Sequence, residues 1–232
     1  MNILAIDTST PLASIAIAVD EHIAAESVIN TNRTLSARLM PEIVRLLAML
    51  GLSSGDIDLF ASSTGPGSFT GVRGGVATIQ GLALATGKPC AGFSSLAMLS
   101  MNFSLSALPI CPMLDARKSE VYAALYDCSS PLPSPLLNDC VLPPNAFLNQ
   151  ITELTGQPVI FVGDGTLRYH DLIAQQLGDR AIFAPFPLQS PHAANGILLA
   201  LHACKRGDML KPSQLLPVYL RASDAELMKK KN

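Results

Sequence analysis

The sequence predicts a duplicated α/β fold in which two subdomains each contain a mixed sheet flanked by helices. Segments typical of strands alternate with segments typical of helices, and each half opens on two strands joined by a turn. An aspartate ends each of these opening strands, namely Asp7 and Asp20 in the first half and Asp115 and Asp127 in the second. This recurrence indicates a duplicated unit, with subdomains over 1–103 and 104–207 and with 208–232 completing the first.

In the first half, short apolar runs predict five strands, over 3–6, 13–19, 23–29, 58–62 and 89–93. Apolar residues at helical spacing predict a helix over 35–50, which Gly51 ends. Small residues predict a second helix over 71–86, followed by Gly87, and a third helix is expected over 94–101.

In the second half, strands are predicted over 108–114, 120–126 and 159–162. One helix follows the 163–166 turn and ends near Leu177, and another begins at Ser190 and Pro191 and ends at Arg206. The segment 129–144 is rich in Pro, Ser and Leu and is predicted to be an irregular connection, while 215–220 is predicted to be extended.

The bulk composition favours a cytoplasmic globular protein. Apolar residues make up 49% of the chain, which is enough for a sizeable core. A protein that binds RNA by itself usually has a basic face, whereas the formal net charge of this chain is −2. We interpret the basic run Lys229–Lys231 as a solvated tail. The five cysteines form no CxxC pair, which fits a reducing compartment. We expect neither a signal peptide nor a membrane span.

Two turns are candidate nucleotide contacts. Asp7, Thr8 and Ser9 lie where a strand becomes a turn, so their side chains could contact phosphate. Gly163 and Gly165 lie in a second strand-to-helix turn, whose amides could bind an anion. For both turns, ordinary capping of local backbone groups is the open alternative.

The two long helices of the first half are candidate partner surfaces. The helix over 35–50 carries more apolar residues than the single stripe that a surface helix needs to face the core. Such a helix either lies at a protein interface or is buried between two layers of one chain. The glycine-rich stretch Gly65–Arg73 lacks the Gly-Lys-Ser/Thr ending of a Walker A loop. It leads into a helix of small residues, which allows close packing within the chain or against a partner.

Several motifs together resemble the TsaB (YeaZ-like) family, which takes part in forming threonylcarbamoyladenosine in tRNA. The resemblance rests on Leu4–Ser9, Gly65–Arg73, Gln80–Ala83, Asp115–Arg117 with Glu120–Tyr122, and Pro217–Arg221. It implies the actin / sugar kinase / Hsp70-like (ASKHA) fold. Two positions depart from the family pattern, Leu35 before Ser36 in place of a usual histidine, and Gly74 in place of a branched aliphatic residue.

The resemblance also implies a non-catalytic scaffold subunit that pairs with the catalytic subunit TsaD through its two N-terminal helices. TsaE would join as an ATPase, so ATP or ADP could be present in the complex although this chain requires no cofactor. The chain would form a homodimer when alone and meet tRNA only through the complex. The implied partner interface comprises Leu35, Leu39, Ile43, Leu46, Gly67, Phe69, Arg73, Gly74 and Thr78, and the implied cleft residues are Asp115 and Arg117.

Alternative functions belong to other classes. An ATP-dependent small-molecule kinase of the same superfamily would show ATP turnover, and a plain structural homodimer would fail to bind TsaD. A metallopeptidase would need metal ligands, but the four histidines show neither HxxxH nor HExxH spacing, and GxSxG is missing as well. We therefore predict no catalytic residue and no metal ligand in this chain.

Overall fold

The computed structural model describes residues 1–30 and 35–221, so the tail with Lys229–Lys231 lies outside the described residues. The first sheet contains β1 (Asn2–Asp7), β2 (Leu12–Val19), β3 (His22–Asn30), β4 (Leu59–Gly65) and β5 (Cys90–Ser94) in the order β3-β2-β1-β4-β5. The central strand β1 runs antiparallel to β2 and parallel to β4. The sheet is therefore mixed, as the sequence predicts.

The second sheet repeats this topology. It contains β6 (Ile110–Arg117), β7 (Glu120–Asp127), β8 (Ser134–Leu142), β9 (Val159–Val162) and β10 (Ala181–Phe183), in the order β8-β7-β6-β9-β10. Its central strand β6 runs antiparallel to β7 and parallel to β9, so β6 takes the place of β1. The predicted duplication is confirmed.

One connection was predicted wrongly. Residues 129–144 are not irregular throughout, because β8 pairs with β7 along the edge of the second sheet. Pro135 hides the strand pattern in the sequence, yet an edge strand tolerates proline because one side of its backbone needs no ladder hydrogen bond. The helix predicted up to Leu177 is divided at Tyr169 into α5 (Asp164–Arg168) and α6 (His170–Leu177).

Helices cover both faces of each sheet. In the first half, α1 (Leu35–Met49) and α2 (Phe69–Thr86) lie side by side on one face. The opposite face is covered by α7 (Ala193–Lys205), which packs Ile197 beside Ala5 and Leu59. Although the sequence assigned 193–205 to the second subdomain, this helix packs on the first sheet.

The second sheet is covered in the same way. On one face lie α4 (Pro144–Leu154) and α6, and on the other lies α3 (Ser95–Ser100), whose Leu96 and Leu99 pack beside Ile110. The sequence assigned α3 to the first subdomain, and its Met98 does pack with the first sheet, so α3 lies between the two sheets. The division at residue 103 stays a prediction, and the positions of α3 and α7 show that the two halves are interlocked.

Local chemistry fixes the ends of α2. The hydroxyl of Ser68 accepts a hydrogen bond from the amide of Gly71 at 3.3 Å, which caps the N-terminus. Gly87 ends the helix in the left-handed conformation, with φ of 68°. Within the described ranges, no helix has the length and apolar character needed to cross a membrane.

Candidate functional site

The glycine-rich stretch between β4 and α2 packs against the turn that follows β1. The amide of Ser68 donates to the carbonyl oxygen of Ser9 at 2.7 Å, and the Thr8 hydroxyl donates to the carbonyl oxygen of Gly71 at 2.8 Å. A Cβ atom at Gly67 would overlap the Ser9 backbone, and one at Gly71 would overlap the Thr8 carbonyl. These glycines therefore serve contacts within the chain, although the sequence assigned Gly67 to a partner interface.

The first predicted nucleotide turn is buried. Asp7, Thr8 and Ser9 have almost no exposed surface. The Asp7 carboxylate accepts hydrogen bonds from the amide of Ser9 at 3.3 Å and from its hydroxyl at 3.1 Å. Burial raises the pKa of Asp7 above its usual range because the charged form loses its hydration. The groups offered to phosphate are thus already hydrogen-bonded within the chain, and nucleotide binding at this turn stays a prediction.

The second predicted nucleotide turn packs against β6. A Cβ atom at either Gly163 or Gly165 would contact the carbonyl oxygen of Met113, so both glycines allow the turn to approach the strand closely. The amide of Gly163 already donates to the Gln189 side chain at 2.6 Å. Burial raises the pKa of Asp164 in the same turn.

A cleft of about 580 Å³ separates these two turns, and both halves of the chain line it. Asp115 and Arg117 lie in its wall, where the sequence placed them. The Asp115 carboxylate accepts a 2.7 Å hydrogen bond from Arg168 and lies 3.3 Å from the Arg117 guanidinium. A neighbouring cavity of about 280 Å³ shares Asp164 and has mostly apolar walls. The cleft therefore adjoins a smaller cavity with mostly apolar walls.

The implied partner residues of α1 are not available to a partner. Leu39, Ile43 and Leu46 are buried against the first sheet, so their placement at an interface is a correction. The spacing of apolar residues identifies a packed face, but α1 carries two such faces and the sequence does not say which one meets the sheet. For Leu35 the structure describes the backbone only, so the prediction for its side chain stays a prediction.

The outward face of α1 presents different apolar side chains. Val44 is 57% exposed, and Met40 and Met49 are also exposed. On the neighbouring α2, Leu84 is 75% exposed, and small residues surround it. We call this combined surface the partner face, and it comprises Met40, Val44, Met49, Gly74, Ala77, Thr78, Gly81, Leu84 and Ala85.

The remaining predicted interface residues of α2 lie on or beside the partner face. Gly74 and Thr78 are half-buried, with the Thr78 hydroxyl donating to the carbonyl oxygen of Gly74 at 2.8 Å. Phe69 and Arg73 are exposed near the start of the helix. A Cβ atom at Gly81 would meet nothing within 4 Å, so this glycine leaves open space above the helix.

We call residues 215–221 the C-terminal segment. Sequence reasoning missed two of its residues, Tyr219 and Arg221. The Tyr219 hydroxyl accepts a 2.6 Å hydrogen bond from Arg73, and Arg221 donates at 2.7 Å to Glu120 of the second half. Both residues belong to the Pro217–Arg221 motif that supports the family resemblance, and that motif is the signal that could have found them.

Comparison with known proteins identifies the family. A family model described as TsaD, tRNA N6-adenosine threonylcarbamoyltransferase, matches residues 22–229. The tRNA threonylcarbamoyladenosine biosynthesis protein TsaB of Bacillus subtilis (strain 168) is 30% identical over 226 residues, covering 97% of this chain and 96% of that protein. This chain belongs to the TsaB family.

Solved structures agree with the fold of the TsaB family. YeaZ from Pseudomonas aeruginosa is 29% identical, with a TM-score of 0.79 and coverage of 94% of this chain and 99% of that one. The ROK hexokinase from Thermus thermophilus is only 10% identical, yet has a TM-score of 0.52 over 88% of this chain and 100% of that one. The predicted ASKHA fold is confirmed.

Proposed function

We propose that this chain takes part in forming threonylcarbamoyladenosine in tRNA, as a non-catalytic subunit that pairs with the catalytic subunit TsaD. Membership of the TsaB family supports the process, since the Bacillus subtilis relative carries that process in its name. The partner face is the observation that carries the pairing. Its mixture of small residues and exposed apolar side chains on two adjacent helices is typical of a helix-packing surface.

The partner face suits close approach by a helix. Gly74, Ala77 and Gly81 project little or no side chain, so a partner helix can come near the backbone of α2. Glycine inside an exposed helix costs about 0.5–1 kcal/mol relative to alanine, and close packing against a partner offsets that cost. Covering Val44 and Leu84 removes apolar surface from water, which favours association.

The proposed role of the chain is to hold TsaD in its competent conformation. A subunit that binds one conformation more tightly than others shifts the population toward it without taking part in the chemistry. TsaE would act as the ATPase of the complex, and ATP or ADP would bind there without being required by this chain. In the absence of TsaD the same face would pair with a second copy, and tRNA would be reached only through the complex.

A reconstituted modification assay tests this proposal. Cognate TsaD, TsaE, unmodified tRNA and the threonylcarbamoyl adenylate are combined with and without this chain, and the modified nucleoside is measured by mass spectrometry. We expect modification to depend on this chain and to be lost with Gly81→Arg, which fills the open space on the partner face. Gly156→Arg is the matched control, because Gly156 is exposed, has open space and lies in the second half.

Two outcomes would redirect the assignment. Modification at the same rate without this chain would contradict the scaffold role. Steady ATP turnover by the isolated chain with a small acceptor would favour the kinase alternative, for which the cleft between the two turns would be the site.

A further inference from the structure

An exposed stack of three side chains stands at the N-terminal end of α2. The Arg73 guanidinium lies 3.9 Å from the centroid of the Phe69 ring and 5.5 Å from that of Tyr219. The two rings are 5.1 Å apart and tilted by 32°. Phe69 is 40% exposed and Tyr219 is 44% exposed, so the stack is ordered by its own contacts and remains open to solvent.

The C-terminal segment holds the stack in place. The Val218 amide donates to the carbonyl oxygen of Thr64 at 2.8 Å, and the Gln80 side chain donates to the carbonyl oxygen of Leu215 at 2.8 Å. These bonds anchor the backbone on both sides of Leu216, beside Tyr219. Because Tyr219 is positioned beforehand, this chain loses little conformational freedom when a partner packs on the stack.

The charge of Arg73 has no carboxylate partner in residues 1–30 and 35–221. Within these residues the guanidinium contacts the Tyr219 hydroxyl and the two aromatic rings. The exposed apolar side chains of Leu216 and Val218 belong to the same C-terminal segment. A guanidinium that lies on aromatic rings, has apolar neighbours and meets no carboxylate among the described residues is complementary to a carboxylate set among apolar side chains.

We infer that Phe69, Arg73 and Tyr219 extend the partner face and select a partner segment with a carboxylate flanked by apolar side chains. This inference rests on the proposed function, because the occupant is the segment of TsaD that continues from the helix packed on α2. Continuity supports it, since Arg73 and Ala77 are one helical turn apart on α2 and both are exposed.

Affinity measurements test the inference with cognate TsaD at three salt concentrations. We expect Arg73→Met and Tyr219→Ala each to weaken binding by about tenfold or more, the scale of an interface hot spot. Arg73→Met should also flatten the salt dependence of binding, whereas Tyr219→Phe, which keeps the ring, should have a smaller effect than Tyr219→Ala. Arg206→Met is the control, because it removes an exposed arginine from the end of α7.

The comparison with Gly81→Arg separates this inference from the proposed function. Suppose that Gly81→Arg abolishes binding while Arg73→Met and Tyr219→Ala bind as the wild type does. The inferred role of the stack is then wrong, and pairing with TsaD through the partner face is still supported. If the wild-type chain does not bind TsaD at all, the proposed function itself fails.

Neutralising the carboxylates of the tail provides a second separation. Residues 222–232 contain Asp224 and Glu226, and the double substitution Asp224→Asn with Glu226→Gln removes both charges from the full chain. We expect the Arg73→Met effect to persist in this background. Loss of that effect would show that a tail carboxylate pairs with Arg73, and would overturn the inference.

Discussion

The hydroxyl of Thr8 donates a 2.8 Å hydrogen bond to the carbonyl oxygen of Gly71, and the missing side chain of Gly71 leaves room for the Thr8 backbone. This contact joins the end of the central strand β1 to the first turn of α2. The position of α2, and with it the partner face, therefore depends on the turn that the sequence suggested for nucleotide binding.

We predict that Gly71→Ala destabilises the chain by about 1–3 kcal/mol, because the added methyl group overlaps the Thr8 carbonyl and forces the backbone to shift. The matched control is Gly81→Ala in the same helix, where the methyl group meets open space. Better helix propensity should stabilise that variant by roughly 0.5–1 kcal/mol. Urea unfolding measures both, and equal midpoints for the two variants would contradict the packing.

Asp7 should make stability fall as pH rises. Burial raises its folded pKa above the unfolded value, so the folded state binds more protons between the two values. Stability relative to Asp7→Asn is therefore highest near and below the unfolded pKa of about 3.9. It declines by at most about 1.4 kcal/mol per pH unit until the folded pKa is passed.

Unfolding free energies of the wild type and Asp7→Asn from pH 4 to pH 8 test this sign. Asp127→Asn, measured from pH 2 to pH 5, is the control of opposite sign, because the Ser129 amide lowers the folded pKa of Asp127. The stabilising contribution of Asp127 is therefore present above its unfolded pKa of about 3.9 and is lost as the pH falls below that value. A wild-type curve that runs parallel to that of Asp7→Asn would show that Asp7 does not titrate as its burial requires.

Adjacent positions on α1 separate folding from association. Ile43→Asp should unfold the chain or cost several kcal/mol, because it buries an unpaired carboxylate in the core. Val44→Asp places the same group on the exposed partner face and should change stability by about 0.5 kcal/mol or less while preventing association with TsaD. Normal association of a folded Val44→Asp variant would exclude α1 from the interface.

Arg221 should hold the C-terminal segment against the second half. We predict that Arg221→Met, which removes the bonds to Glu120 and to the Ala116 carbonyl, speeds hydrogen exchange at the Val218 amide. Lys205→Met is the control, because it removes an exposed ion pair with Glu21 that involves neither Arg221 nor Val218. Unchanged exchange at Val218 in Arg221→Met would mean that the segment is anchored without Arg221.

Much of the fold was predictable because its signals are local. Short apolar runs ending in aspartate mark β1 and β6, and their recurrence shows the duplication. Local signals fail where tertiary contacts decide. Pro135 disguises the edge strand β8, and the two apolar faces of α1 do not show that Ile43 packs inward and Val44 outward.

The candidate site was less predictable for the same reason. The small residues of α2 indicated close packing, but the sequence does not show which glycines are packed. In the structure a Cβ atom at Gly71 would overlap the Thr8 carbonyl, whereas one at Gly81 would have no neighbour within 4 Å. Tyr219 lies 146 residues after Arg73 in the chain, and neither residue alone predicts a stack. Residues so far apart in the chain leave no periodic pattern in a single sequence that would predict their contact.

The most direct test of the account is size-exclusion chromatography with light scattering on the chain alone and with cognate TsaD. We predict a homodimer of the 24.5 kDa chain that becomes a heterodimer on addition of TsaD. Gly81→Arg should remain monomeric in both samples, and Gly156→Arg should behave as the wild type does. A folded Gly81→Arg variant that forms the same heterodimer would contradict pairing through the partner face.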